Sequence, residues 1–364
     1  MLLLLNTLQP DQKWLGSDTL SRWCIEAIGL LLLKNHVYRL PTLPSIIISS
    51  HSSTFKVADP HNTFQMATDW GLGGLATFVQ TSHADVYSAI DPTSIKLPQP
   101  SVVCVVGASR GIGAGIAKAY AKASATGLVL ASRRISGLEE TAASCKRIDP
   151  NIEIEIVECD ITSASSVSAL AERIKTRFGR LDVVMVNSGA SGAIVPKLTD
   201  ADPATFQQTI DVNYIGLFLS AKFLLPVLLG TKDGAKNFIT VSSFAALIIR
   251  GPFANAQYCV SKLAQLKLME HVHEQYHDEG LLSWSVHPGS VDSELTAVTP
   301  EPFKAYLTDS PDLCGAFCAW LSRAGREIAW LCGRLVNAKY DVSELEARKD
   351  EVVEKDLLKL KICA

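Results

Sequence analysis

From Val102 onward, short apolar and β-branched runs alternate with amphipathic stretches of helix length. The runs occupy 102–106, 128–131, 152–157, 182–186, 238–241, 283–286 and 334–336. Strands alternating with helices predict βαβ units, and so an α/β domain whose parallel sheet is covered by helices on both faces. The run 102–106 is apolar at every position, as a strand buried on both sides requires. The run 152–157, Ile-Glu-Ile-Glu-Ile-Val, alternates instead, which places it at a sheet edge with one accessible face. Asp202-Pro203 reads as an N-cap followed by an N1 proline. Ser343-Glu344-Leu345-Glu346 reads as a capping box opening a last, charged helix.

Upstream of residue 100 the pattern is missing. Residues 1–65, with Pro41-Thr42-Leu43-Pro44 and a Ser/His-rich patch at 49–53, read as an accessory extension without catalytic function, or as a segment ahead of a second start at Met66. Residues 66–100 read as a lead-in to the first strand. The opening Met1-Leu2-Leu3-Leu4-Leu5 lacks the basic region and small-residue cleavage site of a signal peptide. A bilayer span needs about 20 apolar residues; 25–33 is too short, and 217–229 is interrupted by Lys222 and Pro226. No membrane span is expected.

Of the 364 residues, 48% are hydrophobic, enough for a sizeable core. A net charge of −3 without runs of like charge gives no footprint for nucleic acid. Nine scattered cysteines without zinc-ligand spacing read as reduced, buried thiols of a cytoplasmic protein. His271, His273 and His277 share a helical stretch but lack a further ligand or paired acid, so no metal site is expected.

The first strand runs into Gly107-Ala108-Ser109-Arg110-Gly111-Ile112-Gly113 and then a helical segment. Glycines there let the main chain approach a pyrophosphate, and the helix N-terminus offers free N–H groups and partial positive charge. The second strand ends Ser132-Arg133-Arg134, with no acid before Glu139 to bond a ribose 2′-hydroxyl. Arg133 and Arg110 are instead suited to clamp a 2′-phosphate, so the expected cofactor is NADP(H).

Tyr258 and Lys262, four apart, share a helix face. A tyrosine acts as acid or base on an alcohol or carbonyl only if its pKa of about 10 is lowered, and a neighbouring ammonium does that. The spacing alone is a frequent coincidence. The strand 238–241, however, runs into Ser242-Ser243 at the sheet end where ligands bind in such folds, and a serine there can orient a substrate oxygen.

Taken together and in this order, these motifs resemble the short-chain dehydrogenase/reductase family over 102–336. Cys159-Asp160-Ile161-Thr162 resembles the family's adenine-contacting Asp, and Asn187-Ser188-Gly189-Ala190 its N-N-A-G. Asn213 resembles its relay Asn, which holds a water, while Ser243, Tyr258 and Lys262 resemble its serine, tyrosine and lysine. His287-Pro288-Gly289-Ser290-Val291-Asp292-Ser293 resembles P-G-x-V-x-T, in which the Val and Thr positions, here Val291 and Ser293, contact the nicotinamide amide. Departures are Val106 for Thr, Ser188 for Asn and Ser293 for Thr. A Ser243-to-Tyr258 interval of 15 residues is also slightly long, which sets Ser242 against Ser243.

The resemblance implies one doubly wound, Rossmann-type domain over 101–340, with the extension and lead-in before it and a C-terminal helix and tail over 341–364. It implies catalytic Asn213, Ser243, Tyr258 and Lys262, with the last two also contacting the cofactor. Gly107, Ser109, Arg110, Gly111, Ile112, Gly113, Arg133, Asp160, Asn187, Pro288, Gly289, Val291 and Ser293 complete the cofactor site. It also implies a substrate loop over 292–310, where Phe303 and Tyr306 offer aromatic walls, and a homodimer or homotetramer. The tail, Gly333-Arg334-Leu335 with Asp341-Val342-Ser343-Glu344-Leu345, resembles reductases of filamentous-fungal secondary metabolism, and so implies a small hydrophobic, polyketide-like carbonyl or alcohol. The alternatives are a non-catalytic NADP-binding regulator and a dehydratase or epimerase on the same fold.

Overall fold

The computed structural model describes residues 73–362, apart from 196, 252–253, 300 and 324–326 and the side chains of Pro302 and Phe303. The extension 1–65, the lead-in up to residue 72, and Phe303 as an aromatic wall therefore lie outside the described residues.

Seven strands form one sheet: β1 Val102–Val106, β2 Gly127–Ser132, β3 Glu153–Glu158, β4 Val183–Val186, β5 Asn237–Val241, β6 Leu282–His287 and β7 Leu335–Asn337. Their order is β3-β2-β1-β4-β5-β6-β7, with every pairing parallel. Apart from the single turn Glu301–Lys304, the α-helices among the described residues are α1 Gly111–Lys122, α2 Ile135–Ile148, α3 Ala164–Phe178, α4 Pro203–Ile210, α5 Gly216–Gly230, α6 Ala256–Tyr276, α7 Pro311–Leu321, α8 Val342–Ala347 and α9 Lys349–Glu354.

The period of two along β1 divides the core. Val103 and Val105 join Leu128, Leu130, Ile239 and Trp284 against Tyr120 of α1 and Phe317 of α7. Val102, Cys104 and Val106 join Val129, Val184 and Phe238 against Leu170 of α3, Leu224 of α5 and Met269 of α6. Both faces are thus covered by helices, as the uniformly apolar β1 requires. β3 sits at the edge, as its alternation implies, and its outward glutamates meet α3: Arg173 lies 2.6 Å from Glu155, and Arg177 2.7 Å from Glu153.

Asp202 caps α4 as expected, accepting from the Thr205 N–H at 2.9 Å. Two expectations need correction. The apolar stretch 217–229 is not interrupted. α4, a π turn at Asp211–Ile215 and α5 run on as one 28-residue helix, Pro203–Gly230, with Pro226 inside it. By length and composition this helix could cross a membrane, but here it packs on β4, β5 and α3, with 56% of its most apolar window buried. The last helix is not opened by Ser343. Asp341 caps it, accepting from the Ser343 and Glu344 N–H groups at 3.0 and 3.1 Å. Glu344 is free of the cap because it accepts from the N–H groups of Gln80 and Thr81 at 2.7 and 3.0 Å.

Those last bonds belong to a strap. Residues 73–90 run along the C-terminal segment instead of merely leading into β1. The Tyr87 hydroxyl donates to the Tyr340 carbonyl at 3.1 Å and accepts from the Val342 N–H at 2.8 Å. The His83 ring stacks on Tyr87 at 3.6 Å and reaches the Asp341 carboxylate at 3.0 Å.

Candidate active site

In this strand order the chain reverses direction across the sheet between β1 and β4, the place where an open α/β sheet leaves a crevice. The glycine turn lies there. Gly107 has φ +94°, and a Cβ on it would stand 2.7 Å from the Ser188 nitrogen. A Cβ on Gly113 would stand 1.9 Å from the Gly107 oxygen. Asn187 Nδ2 donates to that same oxygen at 2.9 Å, tying the end of β4 to the turn. α1 begins at Gly111, so its free N–H groups face the crevice, which Ser109, Arg110, Gly111 and Ile112 line.

At the end of β2, Arg133 and Arg134 stand close enough to Arg110 that burial, then the fields of Arg134 and Arg133, lower its pKa. Arg110 is ion-paired with Glu294, and Arg134 lies 3.7 Å from the same carboxylate. Asp160 lines the same end. The Thr162 N–H, which it accepts at 3.0 Å, holds its carboxyl below the usual range.

Tyr258, Ser243 and Lys262 converge at the ends of β5 and α6. The Ser243 hydroxyl hydrogen-bonds the Tyr258 phenol. Ser242, just past β5, donates its N–H to the Val286 carbonyl at 2.8 Å and buries its hydroxyl without a partner, whereas it is Ser243 that meets Tyr258. Lys262 Nζ lies 5.7 Å from the Tyr258 ring centroid and donates to the Val241 carbonyl at 3.0 Å. Burial pushes Tyr258 up to about 12, with the Ser243 bond pulling it partly back, and pushes Lys262 down to about 7. The expected lowering of the tyrosine by Lys262 is therefore not seen: loss of hydration dominates at Tyr258, and the Lys262 ammonium is turned toward Val241.

Asn213 sits in the π turn and is fully buried. Its Nδ2 donates to the Ala190 carbonyl at 2.7 Å and Ser261 Oγ at 2.8 Å, and its Oδ1 accepts from the Ala190 N–H at 2.8 Å. Its carbonyl accepts from Gln265 Nε2. Asn213 thus joins the loop after β4 to α6.

Beyond β6, Pro288, Gly289, Val291 and Ser293 line the crevice. Ser293 also caps the short turn Glu294–Thr296. His287 Nδ1 accepts from the Phe244 N–H at 3.3 Å, and the two rings stack at 4.3 Å. Burial, then the charge of Lys339, pushes His287 down to about 3, so it is neutral. The whole cleft measures about 1440 Å³ and continues past Tyr258 along Ile194, Leu295, Val298 and Tyr306. That exceeds the usual 300–1,000 Å³ of a single-ligand pocket, and leaves room for a dinucleotide and a substrate together. Among the described residues, no group of three His, Cys, Asp or Glu side chains is placed to hold a metal ion.

The family profile described as short chain dehydrogenase matches residues 101–302. The chain belongs to the short chain dehydrogenase family. This dehydrogenase is 38% identical to the short chain dehydrogenase mpl6 of Monascus purpureus, over 79% of its own length and 96% of the relative's. It is 32% identical to the short chain dehydrogenase pgmD of Aspergillus terreus, over 80% and 94%. Among solved structures it is similar to an alcohol dehydrogenase from Thermococcus sibiricus complexed with 5-hydroxy-NADP, at 27% identity and TM-score 0.53, covering 61% of this chain and 89% of that one. A chain from Pseudomonas syringae, also 27% identical, superposes with TM-score 0.60, covering 68% of this chain and 96% of that one.

Several residues in or just behind the dehydrogenase's cleft escape a reading of the sequence. Arg134 was visible beside Arg133 and carries the same charge. Asn255 and Gln257, which donate to the Ser191 carbonyl at 2.8 and 3.0 Å, stand just before Tyr258 and were open to the same scrutiny. Glu294, Asp309 and Lys339 gave no local signal.

Proposed function

We propose that this oxidoreductase is an NADP(H)-dependent carbonyl reductase acting on a small hydrophobic, polyketide-like substrate of fungal secondary metabolism. The observation that carries the reading is the convergence of Ser243, Tyr258 and Lys262 in one cleft with the glycine turn. A cradle that admits no Cβ at Gly107 or Gly113 fits a dinucleotide pyrophosphate. Arg110, Arg133 and Arg134 gathered at the β2 end fit a 2′-phosphate, and the similar Thermococcus enzyme was solved with an NADP derivative. When bound, the reduced nicotinamide supplies the hydride.

The chain's own residues do the rest. Ser243 hydrogen-bonds the substrate oxygen and holds it against Tyr258. With its pKa pushed up to about 12, Tyr258 is a phenol at neutral pH and carries the proton that a reduced carbonyl oxygen must receive. Lys262 holds the ribose hydroxyls and, once turned from Val241, eases proton loss from Tyr258. Asn213 fixes α6 relative to the loop after β4, keeping this geometry. The apolar side of the cleft, Ile194, Leu295 and Val298, favours a hydrophobic substrate. Buried thiols such as Cys104, Cys145 and Cys314 suit a reducing, cytosolic setting. The outward apolar side chains of α5 and α6 suit a homo-oligomer.

The test is NADPH and NADH oxidation on a panel of ketones and aldehydes, with wild type and Tyr258→Phe. Wild type should turn over with a lower KM for NADPH, and the variant should lose about 10²–10⁴-fold in kcat, the range a positioned acid supplies. Equal activity of the two proteins would remove Tyr258 from the mechanism, and equal KM values would remove the 2′-phosphate reading.

A further inference from the structure

The roof of the cleft at its nicotinamide end is the loop that leaves β6, and it rests on a buried charge. Gly289 has φ +97°, and a Cβ on it would stand 2.7 Å from Asp309 Oδ2. That oxygen accepts the Ser290 N–H at 2.6 Å, while the Asp309 N–H donates back to the Ser290 carbonyl at 3.1 Å. The Asp309 side chain is 0% exposed. Its two oxygens receive Lys339 Nζ at 2.6 and 2.8 Å. Lys339 follows β7, and its carbonyl accepts the His83 N–H at 2.8 Å. The residue after Asp309, Ser310, donates to the Ala84 carbonyl at 2.7 Å.

A buried ion pair adds little stability compared with apolar side chains of the same volume, but it fixes geometry. Here it fixes two main-chain bonds of the loop. We infer that Asp309, held by Lys339, is a positioning residue for the cofactor's nicotinamide end. It sets the main chain of Gly289 and Ser290, and through it the seat of the nicotinamide relative to Tyr258. The inference rests on the reading of this cleft as an NADP(H) site. Neither residue touches the adenine end, where Arg110, Arg133 and Asp160 lie, so its effect is confined to one half of the cofactor.

That confinement supplies the test. NADPH and ADP-ribose 2′-phosphate, the same molecule without its nicotinamide, are titrated calorimetrically into wild type, Asp309→Asn, Lys339→Met and Lys339→Arg. Asp309→Asn and Lys339→Met should weaken NADPH at least tenfold while leaving the fragment within twofold. Lys339→Arg, which keeps the charge, should stay near wild type for both. Where a carbonyl of the panel is reduced, NADPH deuterated at the transferred position should show a larger isotope effect on kcat in the weakened variants, because hydride transfer becomes limiting. Equal weakening of both ligands, or no weakening of either, would overturn the inference. If Asp309→Asn does not fold, the contrast between Lys339→Met and Lys339→Arg decides it. Should wild type bind NADPH yet reduce none of the carbonyls, the reaction proposed above fails while the two titrations still decide the role of Asp309.

Discussion

Lys262 is 3% exposed, and its ammonium rests on one carbonyl, that of Val241. Burial lowers its pKa from 10.5 to about 7. The sign follows from proton counting. Below pH 7 folded and unfolded chains both carry the proton, and the folded one bears the full cost of a buried charge. Between 7 and 10.5 the unfolded chain binds more protons than the folded one, so stability rises with pH. Lys262→Met in the cofactor-free protein should therefore be more stable than wild type near pH 6–7. The gain is on the order of a few kcal/mol at about 1.4 kcal/mol per pKa unit, less about 1 kcal/mol for the lost bond to Val241. The difference should shrink as pH approaches 10. Urea denaturation at pH 6, 8 and 10 measures it, and a pH-independent difference would mean that the amine stays hydrated in the fold. At this scale the sequence was informative where chemistry repeats along a single element. Tyr258 and Lys262 share a helix turn, and Ser242-Ser243 follow directly on β5. It was silent on Asp309 and Lys339, which meet only because two distant loops fold onto each other.

Among the elements, all seven strands were legible to within one residue at either end, because burial on both faces or on one face writes itself into the hydrophobic pattern. The strap was not. Residues 73–90 form no long helix or strand: Val79 and Ile90 pack in the core, but the hydrogen bonds that tie the strap to the C-terminal segment leave no period to read. The cap of α8 was misplaced for a related reason: Asp341 and Ser343 are both good caps, and only the pull of the strap on Glu344 decides between them. Tyr87 is the centre of the strap's attachment. Tyr87→Phe keeps the ring stacked on His83 but leaves the Val342 N–H and the Tyr340 carbonyl without their partner. The expected loss is about 1–3 kcal/mol, read as a lower urea midpoint with an unchanged slope. A midpoint equal to wild type would show that the strap is held by packing alone.

For the molecule as a whole, the outer faces of α5 and α6 carry Phe218, Val260 and Leu263, which are 46%, 51% and 38% exposed. If these faces join protomers, Phe218→Glu with Val260→Lys should shift wild-type dimers or tetramers to monomers in light scattering after gel filtration. A wild type that is already monomeric, or a variant that still associates, would place the contact elsewhere.

The edges of the sheet bear on the same question. A bare strand edge invites another chain to extend the sheet without limit. β3 answers with glutamates paired to arginines of α3, and at the other edge the Leu335 N–H of β7 donates to the Leu358 carbonyl of the tail at 2.9 Å, while the strap ties Tyr340 and Asp341 just beyond. Charge at one edge and the tail and strap at the other disfavour growth along the hydrogen-bonding direction, so any association through helix faces is one that symmetry can close into particles of fixed size.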